Sequence, residues 1–462
     1  MLVMKFGGTS VGDAQRFAVV ADIVCASGEQ TVVVVSAMSG VTDSLIQGAR
    51  AAAEGQDDAY RAIRANLLAR HLETVDTLLA ESSERLDVAG FIEDRLHDFE
   101  RLCRSIAVLG ELTARGSDAV ASIGEELSAH ILAATLRARG SRAQAVSATE
   151  LIVTDDNFGA ANPLMEATTA RVRQRLIPLL ERSVMPVVTG YIAATAEGVT
   201  TTLGRGGSDY SAAIVGACLD ADEVWIWTDV DGILTADPKI VPEARPLTEL
   251  SYDEAAALAY FGADVLHPKT IKPVVEKGIP LRIVNSFNPT HPGTLIVKEP
   301  RPDRQTVPAI ISTTGLSLVS VAGQGDGWTP QIAARALQRL AEGGVDVLMF
   351  SQSFSERSLN LVIRQPDQEH CLRLLRREFE DELALRRLSH LRVQEEVGTV
   401  SVVGAPGRDG ASIVAQVFAA LGRQGTRVIS VAQAASEYNV SFVVPADEVE
   451  DTVRSVHREL GL

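Results

Sequence analysis

The sequence predicts an α/β protein, with a mostly parallel central sheet covered by helices and a smaller α+β region after it. In residues 1–300, short apolar segments alternate with amphipathic helical segments, a pattern typical of this fold class. The chain has 462 residues, which is too long for one hydrophobic core, so two or three domains are expected. Beyond residue 308 the composition changes and the sequence repeats itself.

The strands and helices of the predicted sheet are recognised by their apolar patterns. Strands are expected at 2–6, 31–37, 184–192, 223–229 and 280–286. Their apolar residues are consecutive and not alternating, as in strands that are buried on both faces. Helices are expected at 13–27 and 208–220.

Residues 44–120 interrupt this alternation. They are rich in Ala, Leu, Glu and Arg, with apolar residues spaced three and four apart, which predicts a helical insertion. We interpret its charged face as solvated surface or a subunit contact and not as part of a site.

The C-terminal region contains an internal duplication. A linker with five prolines spans 287–308. After it, residues 319–323 recur at 400–404 and residues 352–363 recur at 433–444, both at an offset of 81 residues. Each copy predicts a small α+β module that binds a ligand. The alternative is a plain dimerisation domain, and the two roles are compatible.

Composition excludes several classes of function. The chain is 46% hydrophobic and 22% charged, as in ordinary soluble enzymes, and its net charge of −17 argues against nucleic acid or an anionic membrane as a partner. The four cysteines are far apart, so neither a disulfide framework nor a zinc site is expected. The sequence contains no signal peptide pattern and no long apolar segment, and we expect a cytoplasmic protein.

A turn after the first strand has the features of a phosphate site. Gly7 and Gly8 leave room for backbone N–H groups to approach an anion, and a helix begins shortly afterwards. Lys5 can place an ammonium on the same oxygens. The turn lacks the P-loop pattern, and an ordinary structural turn remains the alternative.

Three further polar segments follow predicted strands or begin helices. They are 36–45, the segment around Glu125, and the segment "TTLGRGGSDYSA" with Arg205 and Asp209. Strand-end loops gather along one edge of an open α/β sheet, so one composite site is expected. Arg205 suits a substrate carboxylate, Glu125 a substrate ammonium, and Asp209 can hold Lys5. This predicts phosphoryl transfer to a small acidic substrate without a protein nucleophile.

A fourth segment, 227–273, carries Thr228, Asp229 and Asp237 after a predicted strand. It is interpreted as a nucleotide pocket in which Mg²⁺ is held largely by phosphate oxygens and water. Asp231, before Gly232, is interpreted as a turn aspartate.

These motifs together resemble the aspartate kinase family. They are "KFGGTS", "GRGGSDY", "WTDVDGILTADPKIVPEA" and "FGADVLHPKTI", in this order and followed by a duplicated module. The resemblance implies a monofunctional enzyme with an αβα-sandwich amino-acid-kinase domain at 1–300, a linker and first ACT domain at 301–390, and a second ACT domain at 391–462. Residues 305–314 are expected to pack with the second ACT domain.

The resemblance also implies an activity and its site. ATP would phosphorylate the side chain of L-aspartate, with Mg²⁺, in the first step of lysine, threonine and methionine biosynthesis. The implied catalytic residues are Lys5, Gly8 and Asp209. Aspartate would contact Ser36, Thr42, Glu125, Arg205 and Ser208. The nucleotide would contact Lys5, Gly7, Gly8, Thr9, Ser10, Thr228, Asp229, Leu234, Asp237 and Lys239. No residue is assigned as a metal ligand.

Regulation and assembly are implied in the same way. Feedback inhibition would act through the ACT domains, at Gln352, Asn360, Gln433 and Asn439, with threonine favoured over lysine as the effector. The ACT domains also imply a homodimer, or a tetramer. One position departs from the family, which most often has a lysine where this chain has Asp264. We expect that change to weaken nucleotide binding unless Lys269, Lys239 or a metal ion compensates.

Two other interpretations remain open from the sequence. One is a kinase of the same fold that acts on glutamate, acetylglutamate or a nucleotide; the C-terminal duplication and "GRGGSDY" argue against it. The other is a catalytically inactive amino-acid sensor, which Asp264 favours and the intact Lys5, Arg205 and Asp209 oppose.

Overall fold

The computed structural model describes residues 1–28, 30–260, 268–301, 308–323, 330–353, 355, 357–404, 410–433 and 439–462. These residues form two compact units. The first comprises Met1–Ile233, Thr248–Tyr252 and 268–301; the second comprises Leu234–Leu247, 253–260 and the described residues after 307. Asp264, where the sequence departs from its family, lies outside the described residues.

The strands and helices of both units are numbered in chain order, and the two types alternate through much of the first unit. The strands are β1 (Leu2–Phe6), β2 (Thr31–Val35), β3 (Ala143–Val146), β4 (Val153–Thr154), β5 (Met185–Thr189), β6 (Ile192–Thr195), β7 (Thr200–Thr202), β8 (Glu223–Thr228), β9 (Glu249–Ser251), β10 (Leu281–Asn285), β11 (Thr294–Val297), β12 (Ala309–Gly323), β13 (Val347–Ser353), β14 (Ser358–Arg364), β15 (Leu388–Val403), β16 (Ser430–Gln433) and β17 (Asn439–Pro445). The helices are α1 (Ala14–Ala26), α2 (Val41–Ala53), α3 (Asp57–Leu78), α4 (Arg85–Leu109), α5 (Ala114–Ala121), α6 (Ile123–Ala138), α7 (Met165–Glu181), α8 (Gly207–Cys218), α9 (Tyr252–Tyr260), α10 (Pro268–Lys277), α11 (Pro330–Glu342), α12 (Gln368–Glu378), α13 (Glu380–Ala384), α14 (Gly410–Gln424) and α15 (Val449–Glu459).

The first unit is built around a sheet whose described strands run in the order β3-β5-β2-β1-β8-β10-β11-β9. Neighbouring strands are parallel except for β10 and β11. Helices α1 and α6 pack together, and α7 and α10 pack on α8, with both groups contacting the sheet. The predicted α/β fold with a mostly parallel sheet is confirmed.

The predicted helical insertion is also confirmed, as α2, α3, α4 and α5. Its apolar residues Tyr60, Leu67 and Phe99 are buried in the same core as residues of β1 and β2. The insertion is therefore packed on the sheet domain as part of its core, and this packing fixes the position of its helices relative to the sheet.

The second unit contains a sheet with the order β13-β14-β12-β15-β17-β16. It is assembled from the two repeats, and the duplication at an offset of 81 residues is confirmed. Strand β14 (Ser358–Arg364) corresponds to β17 (Asn439–Pro445), and α12 (Gln368–Glu378) corresponds to α15 (Val449–Glu459), with identical bounds after the offset. A contact between equivalent positions of the two repeats also recurs. Ser320 Oγ lies 2.6 Å from Asn360 Oδ1 in the first repeat, and Ser401 Oγ lies 2.7 Å from Ser441 Oγ in the second.

Strand β12 takes part in both repeats. Its first residues, Ala309–Thr313, pair with Thr399–Val403 of β15, while Leu316–Ala322 pair with β14. The register shifts between these two parts. No helix of the described chain has a segment that is long and apolar enough to span a membrane.

Candidate active site

Lys5 lies at the centre of the sheet, near the carboxyl end of β1. It is in register with Val34 of β2 and Ile226 of β8. Its side chain is mostly buried, and its Nζ lies 2.5 Å from Asp209 Oδ1 in the first turn of α8. The expected ion pair is present. Because most of the water is excluded, the pair fixes the ammonium in one place.

The Gly7–Gly8 turn packs tightly against its neighbours. A Cβ on Gly7 would lie 3.5 Å from Lys5 Nζ, which is an ordinary contact distance. A Cβ on Gly8 would lie 3.0 Å from the Ala37 carbonyl oxygen. Glycine at position 8 therefore allows the turn to approach the backbone of the loop after β2 closely.

Thr9 and Ser10 differ in exposure. Thr9 is exposed, whereas Ser10 is buried and its hydroxyl lies 2.8 Å from Ser286 Oγ. Ser286 Oγ in turn donates a hydrogen bond to the Thr228 carbonyl oxygen at 3.0 Å. Ser10 therefore anchors the turn to the ends of β8 and β10.

The N-terminus of α8 is shaped by glycines on both sides of Arg205. Gly204 and Gly206 have φ values of 78° and 69°, which favour glycine. Ser208 packs against Gly190, where a Cβ would lie 2.7 Å from the Ser208 hydroxyl oxygen. Arg205 is exposed between the glycines. The arrangement places a guanidinium, Ser208 and Asp209 within five residues of chain.

Glu125 is the acid of this region whose pKa is raised the most. It lies in the first turn of α6 and is 3% exposed. The Ala37 N–H donates to its Oε1 at 3.4 Å, while Oε2 has no hydrogen-bond partner within the part of the chain that the structure describes. Burial raises the pKa of Glu125 to about 8, although the Ala37 N–H acts against this shift. At neutral pH this raised pKa favours the uncharged form of Glu125.

The loop after β2 brings several of these groups together. Ser36 and Thr42 flank it, and both are half-buried. Its Ala37 contacts Gly8, Glu125 and Gly124, where a Cβ would lie 2.8 Å from that of Ala37. The expected convergence of the strand-end loops is thus present around Ala37 and around the Lys5–Asp209 pair.

Comparison with known proteins decides the family. The amino acid kinase family model matches residues 1–285, and the ACT domain model matches residues 319–379 and 400–460. Aspartokinase 1, chloroplastic, of Arabidopsis thaliana is 33% identical, over 99% of this chain and 79% of that protein. The chain belongs to the aspartokinase family of amino acid kinases.

Two further aspartokinases are similar over the whole chain. The bifunctional aspartokinase/homoserine dehydrogenase 2, chloroplastic, of Arabidopsis thaliana is 35% identical over 100% of this chain, which spans 50% of that relative. Aspartokinase III of E. coli in complex with aspartate and ADP (R-state) matches with a TM-score of 0.81 at 29% identity, over 100% of both chains. The same E. coli protein in complex with lysine and aspartate (T-state) matches with a TM-score of 0.77, over 100% and 99% of the two chains.

The aspartokinase motifs assign five more residues to the nucleotide. Thr228 ends β8 and donates to Asp229 Oδ1 at 3.2 Å, and Asp229 is exposed. The other assigned residues, Leu234, Asp237 and Lys239, belong to the second unit, where the Lys239 N–H donates to Asp237 Oδ1 at 2.8 Å.

Asp231 has a structural role, as the sequence predicted for a turn aspartate. Its Oδ1 accepts hydrogen bonds from the side-chain amides of Asn285 at 2.9 Å and Asn288 at 3.1 Å. Within the described residues, no group of three or more His, Cys, Asp or Glu side chains could hold a metal ion.

The four residues expected to bind the effector lie on strands of the ACT repeats. Gln352 on β13 and Gln433 on β16 are both exposed and occupy the same position in their repeats. Asn360 on β14 accepts a hydrogen bond from Ser320 Oγ at 2.6 Å. Asn439 begins β17.

The sequence analysis missed two residues that shape the site. Buried Asp118 accepts hydrogen bonds from the N–H groups of Gly159 at 2.9 Å and Thr202 at 3.0 Å, which fixes the strand before Arg205. The surrounding sequence of α5, ARGSDAVA, has no pattern that distinguishes Asp118 from an exposed aspartate. The second residue is Arg70 of the insertion, whose guanidinium donates to the Ser39 and Gly12 carbonyl oxygens. Arg70 thus contacts the backbone of two loops of the candidate site, whereas the charged face of the insertion was expected to be solvated surface or a subunit contact.

Proposed function

We propose that this protein is an aspartate kinase, which transfers the γ-phosphoryl group of ATP to the side-chain carboxylate of L-aspartate. The products are 4-phospho-L-aspartate and ADP. The observation that carries the proposal is the Lys5–Asp209 ion pair beside the Gly7–Gly8 turn, in a chain of the aspartokinase family. Support comes from the E. coli aspartokinase III structure with aspartate and ADP.

The proposed chemistry needs positioning and charge stabilisation. The aspartate side chain is ionised at neutral pH, so its oxygen forms the new bond to the γ-phosphorus while the oxygen that bridges the β- and γ-phosphates leaves with ADP. Lys5 stabilises the negative charge of the transferring group, Asp209 positions Lys5, and Gly8 contributes a backbone N–H. No residue of the protein acts as a nucleophile.

The substrate side of the site is assigned to residues of the first unit. The Arg205 guanidinium pairs with the α-carboxylate of aspartate, because its fork matches the two oxygens. Glu125 receives the α-ammonium through Oε2, the oxygen that has no hydrogen-bond partner among the described residues. Hydroxyl contacts come from Ser36, Thr42 and Ser208.

The nucleotide side is assigned to a larger set of residues. The phosphates are held by Lys5, Gly7, Gly8 and Thr9, with Ser10 anchoring the turn. The remaining contacts are assigned to Thr228, Asp229, Leu234, Asp237 and Lys239. A Mg²⁺ ion held by phosphate oxygens and water would neutralise charge on the triphosphate.

The C-terminal region is assigned to regulation. We assign 319–379 and 400–460 to two ACT domains, with Ala309–Thr313 in the second, as its pairing with β15 supports. An amino acid effector would bind at Gln352, Asn360, Gln433 and Asn439, with threonine favoured over lysine. The enzyme would be a cytoplasmic homodimer through its ACT domains, or a tetramer, in the first step of lysine, threonine and methionine biosynthesis.

The test is an assay of product and substrate dependence. Mg-ATP and L-aspartate are supplied, and the acyl phosphate is trapped with hydroxylamine. We expect aspartate-dependent hydroxamate together with ADP. The Arg205→Ala variant is expected to raise the KM for aspartate about 10- to 100-fold, because a charge-assisted bidentate contact is lost, and to change the KM for ATP much less.

The outcomes separate the interpretations. Equal effects of Arg205→Ala on both KM values would contradict the assignment of Arg205 to the substrate. Absence of hydroxamate from the wild-type protein, together with effector binding by calorimetry, would contradict the kinase activity and support an inactive sensor.

A further inference from the structure

Arg70 links two loops of the proposed active site. Its Nη1 donates to the Ser39 carbonyl oxygen at 2.8 Å, and its Nη2 donates to the Gly12 carbonyl oxygen at 2.8 Å. Ser39 belongs to the loop after β2, between Ser36 and Thr42, and Gly12 ends the turn that starts at Gly7. One guanidinium thus holds the loop assigned to aspartate and the turn assigned to the phosphates.

The helix that carries Arg70 is a rigid support. On either side of it, Leu67 and His71 are buried, and Thr74 Oγ1 donates to the Arg70 carbonyl oxygen at 2.9 Å. The two loops also meet directly, because a Cβ on Gly8 would lie 3.0 Å from the Ala37 carbonyl oxygen. Arg70 therefore acts on two segments whose separation is already restricted by contact.

We infer that Arg70 is a positioning residue for phosphoryl transfer: it sets the distance between the phosphate turn and the substrate loop. The inference rests on the proposed kinase function. A guanidinium suits this role because its planar fork offers two fixed N–H directions, one for each carbonyl, whereas an ammonium is a single point charge on a flexible stem. Misplacement of reacting groups by about 1 Å can cost on the order of 100-fold in rate.

The test compares Arg70→Ala and Arg70→Lys with a matched control from the same helix. Arg64 also anchors α3, since its Nε donates to the Leu96 carbonyl oxygen at 3.2 Å and lies 3.4 Å from Glu100 Oε2, and both of these partners belong to α4. Arg64→Ala therefore removes a comparable anchor of the insertion without releasing a loop.

We expect Arg70→Ala to lower kcat about 10- to 100-fold, with smaller changes in both KM values. Arg70→Lys should retain an intermediate kcat, and added guanidinium ion should restore part of the activity of Arg70→Ala. Arg64→Ala should lower thermal stability without this loss of kcat. A wild-type kcat in Arg70→Ala, or an equal loss of kcat in Arg64→Ala, would overturn the inference.

Hydrogen exchange tests the inference independently of the reaction. Amides of residues 7–12 and 36–42 should exchange faster in Arg70→Ala than in the wild-type protein. In Arg64→Ala the exchange rates of these amides should match those of the wild-type protein. If the wild-type protein produces no hydroxamate, the kinase proposal fails while this measurement still decides whether Arg70 holds the loops. Unchanged exchange in both segments of Arg70→Ala would overturn the positioning role.

Discussion

At the scale of single residues, Glu125 carries the largest consequence for the proposed chemistry. Its carboxyl is buried at the start of α6, and among the described residues only one of its two oxygens has a hydrogen-bond partner. Burial raises its pKa to about 8 from a reference value of 4.5. An α-ammonium beside the second oxygen would favour the charged form, so binding of aspartate should ionise Glu125 and release a proton.

This coupling predicts a pH dependence of aspartate binding. Calorimetry at pH 7 in two buffers with different ionisation enthalpies should show release of close to one proton per site, and the affinity for aspartate should rise with pH until about pH 8. Glu125→Gln should bind aspartate more weakly and release no proton. Equal proton release by the wild-type protein and the variant would show that Glu125 does not receive the ammonium.

The same residue affects stability with a definite sign. Without substrate, the folded protein holds the Glu125 proton between pH 4.5 and about 8, whereas the unfolded chain does not. The contribution of Glu125 to stability therefore falls as the pH rises through this range.

At the scale of elements, the helical insertion is fitted to the core at closely packed positions. A Cβ on Gly48 of α2 would lie 2.6 Å from Phe99 Cζ, and Phe99 is completely buried in α4. Gly90, also in α4, has nothing within 4 Å of the corresponding position. The two glycines share a helical backbone but differ in surroundings.

Alanine at these two positions should therefore change stability in opposite directions. Gly48→Ala is expected to lower the free energy of unfolding by about 1–3 kcal/mol through overpacking. Gly90→Ala is expected to raise it by roughly 0.5–1 kcal/mol, because alanine loses less conformational entropy in a helix. Urea denaturation followed by circular dichroism measures both. A stabilised Gly48→Ala variant would mean that Phe99 moves aside without cost.

At the scale of the whole molecule, the two ACT repeats are joined through long shared strands. Strands β12 and β15 each extend through both repeats, so neither repeat completes its sheet alone. The edge strands β13 and β16 also meet, with Ser351 Oγ 2.7 Å from Ser430 Oγ. A ligand that orders one repeat therefore acts on strands that belong to the other as well.

The equivalent positions of Gln352 and Gln433 lead to a prediction about regulation. Each glutamine-to-alanine change should raise the effector concentration for half-inhibition about 10- to 100-fold, because a hydrogen bond to a charged ligand is lost. Gln338→Ala is the matched control: Gln338 is an exposed glutamine of α11 that donates to Glu342 at 2.9 Å. Threonine and lysine are each titrated. Inhibition by lysine alone would contradict the threonine preference, and unchanged inhibition in both variants would contradict the assigned sites.

Much of the architecture was determined by the sequence itself. Consecutive apolar residues predicted β1, β2, β5, β8 and β10, and the constant offset of 81 residues predicted the paired elements of the C-terminal repeats. Glycines next to Lys5 and Arg205 marked the strand-end turns. These features are local or periodic, and each leaves a pattern along the chain.

Only the tertiary structure decided the burial of Glu125, the contact of Arg70 with two loops, and the assignment of Leu234–Leu247 to the second unit. Glu125 and Glu126 are adjacent and chemically identical in the sequence, yet the helix buries the first more completely than the second. Arg70 is one of many arginines in a charged insertion. Burial and hydrogen bonding depend on neighbours that are distant in the chain, so residue type and spacing alone could not reveal them.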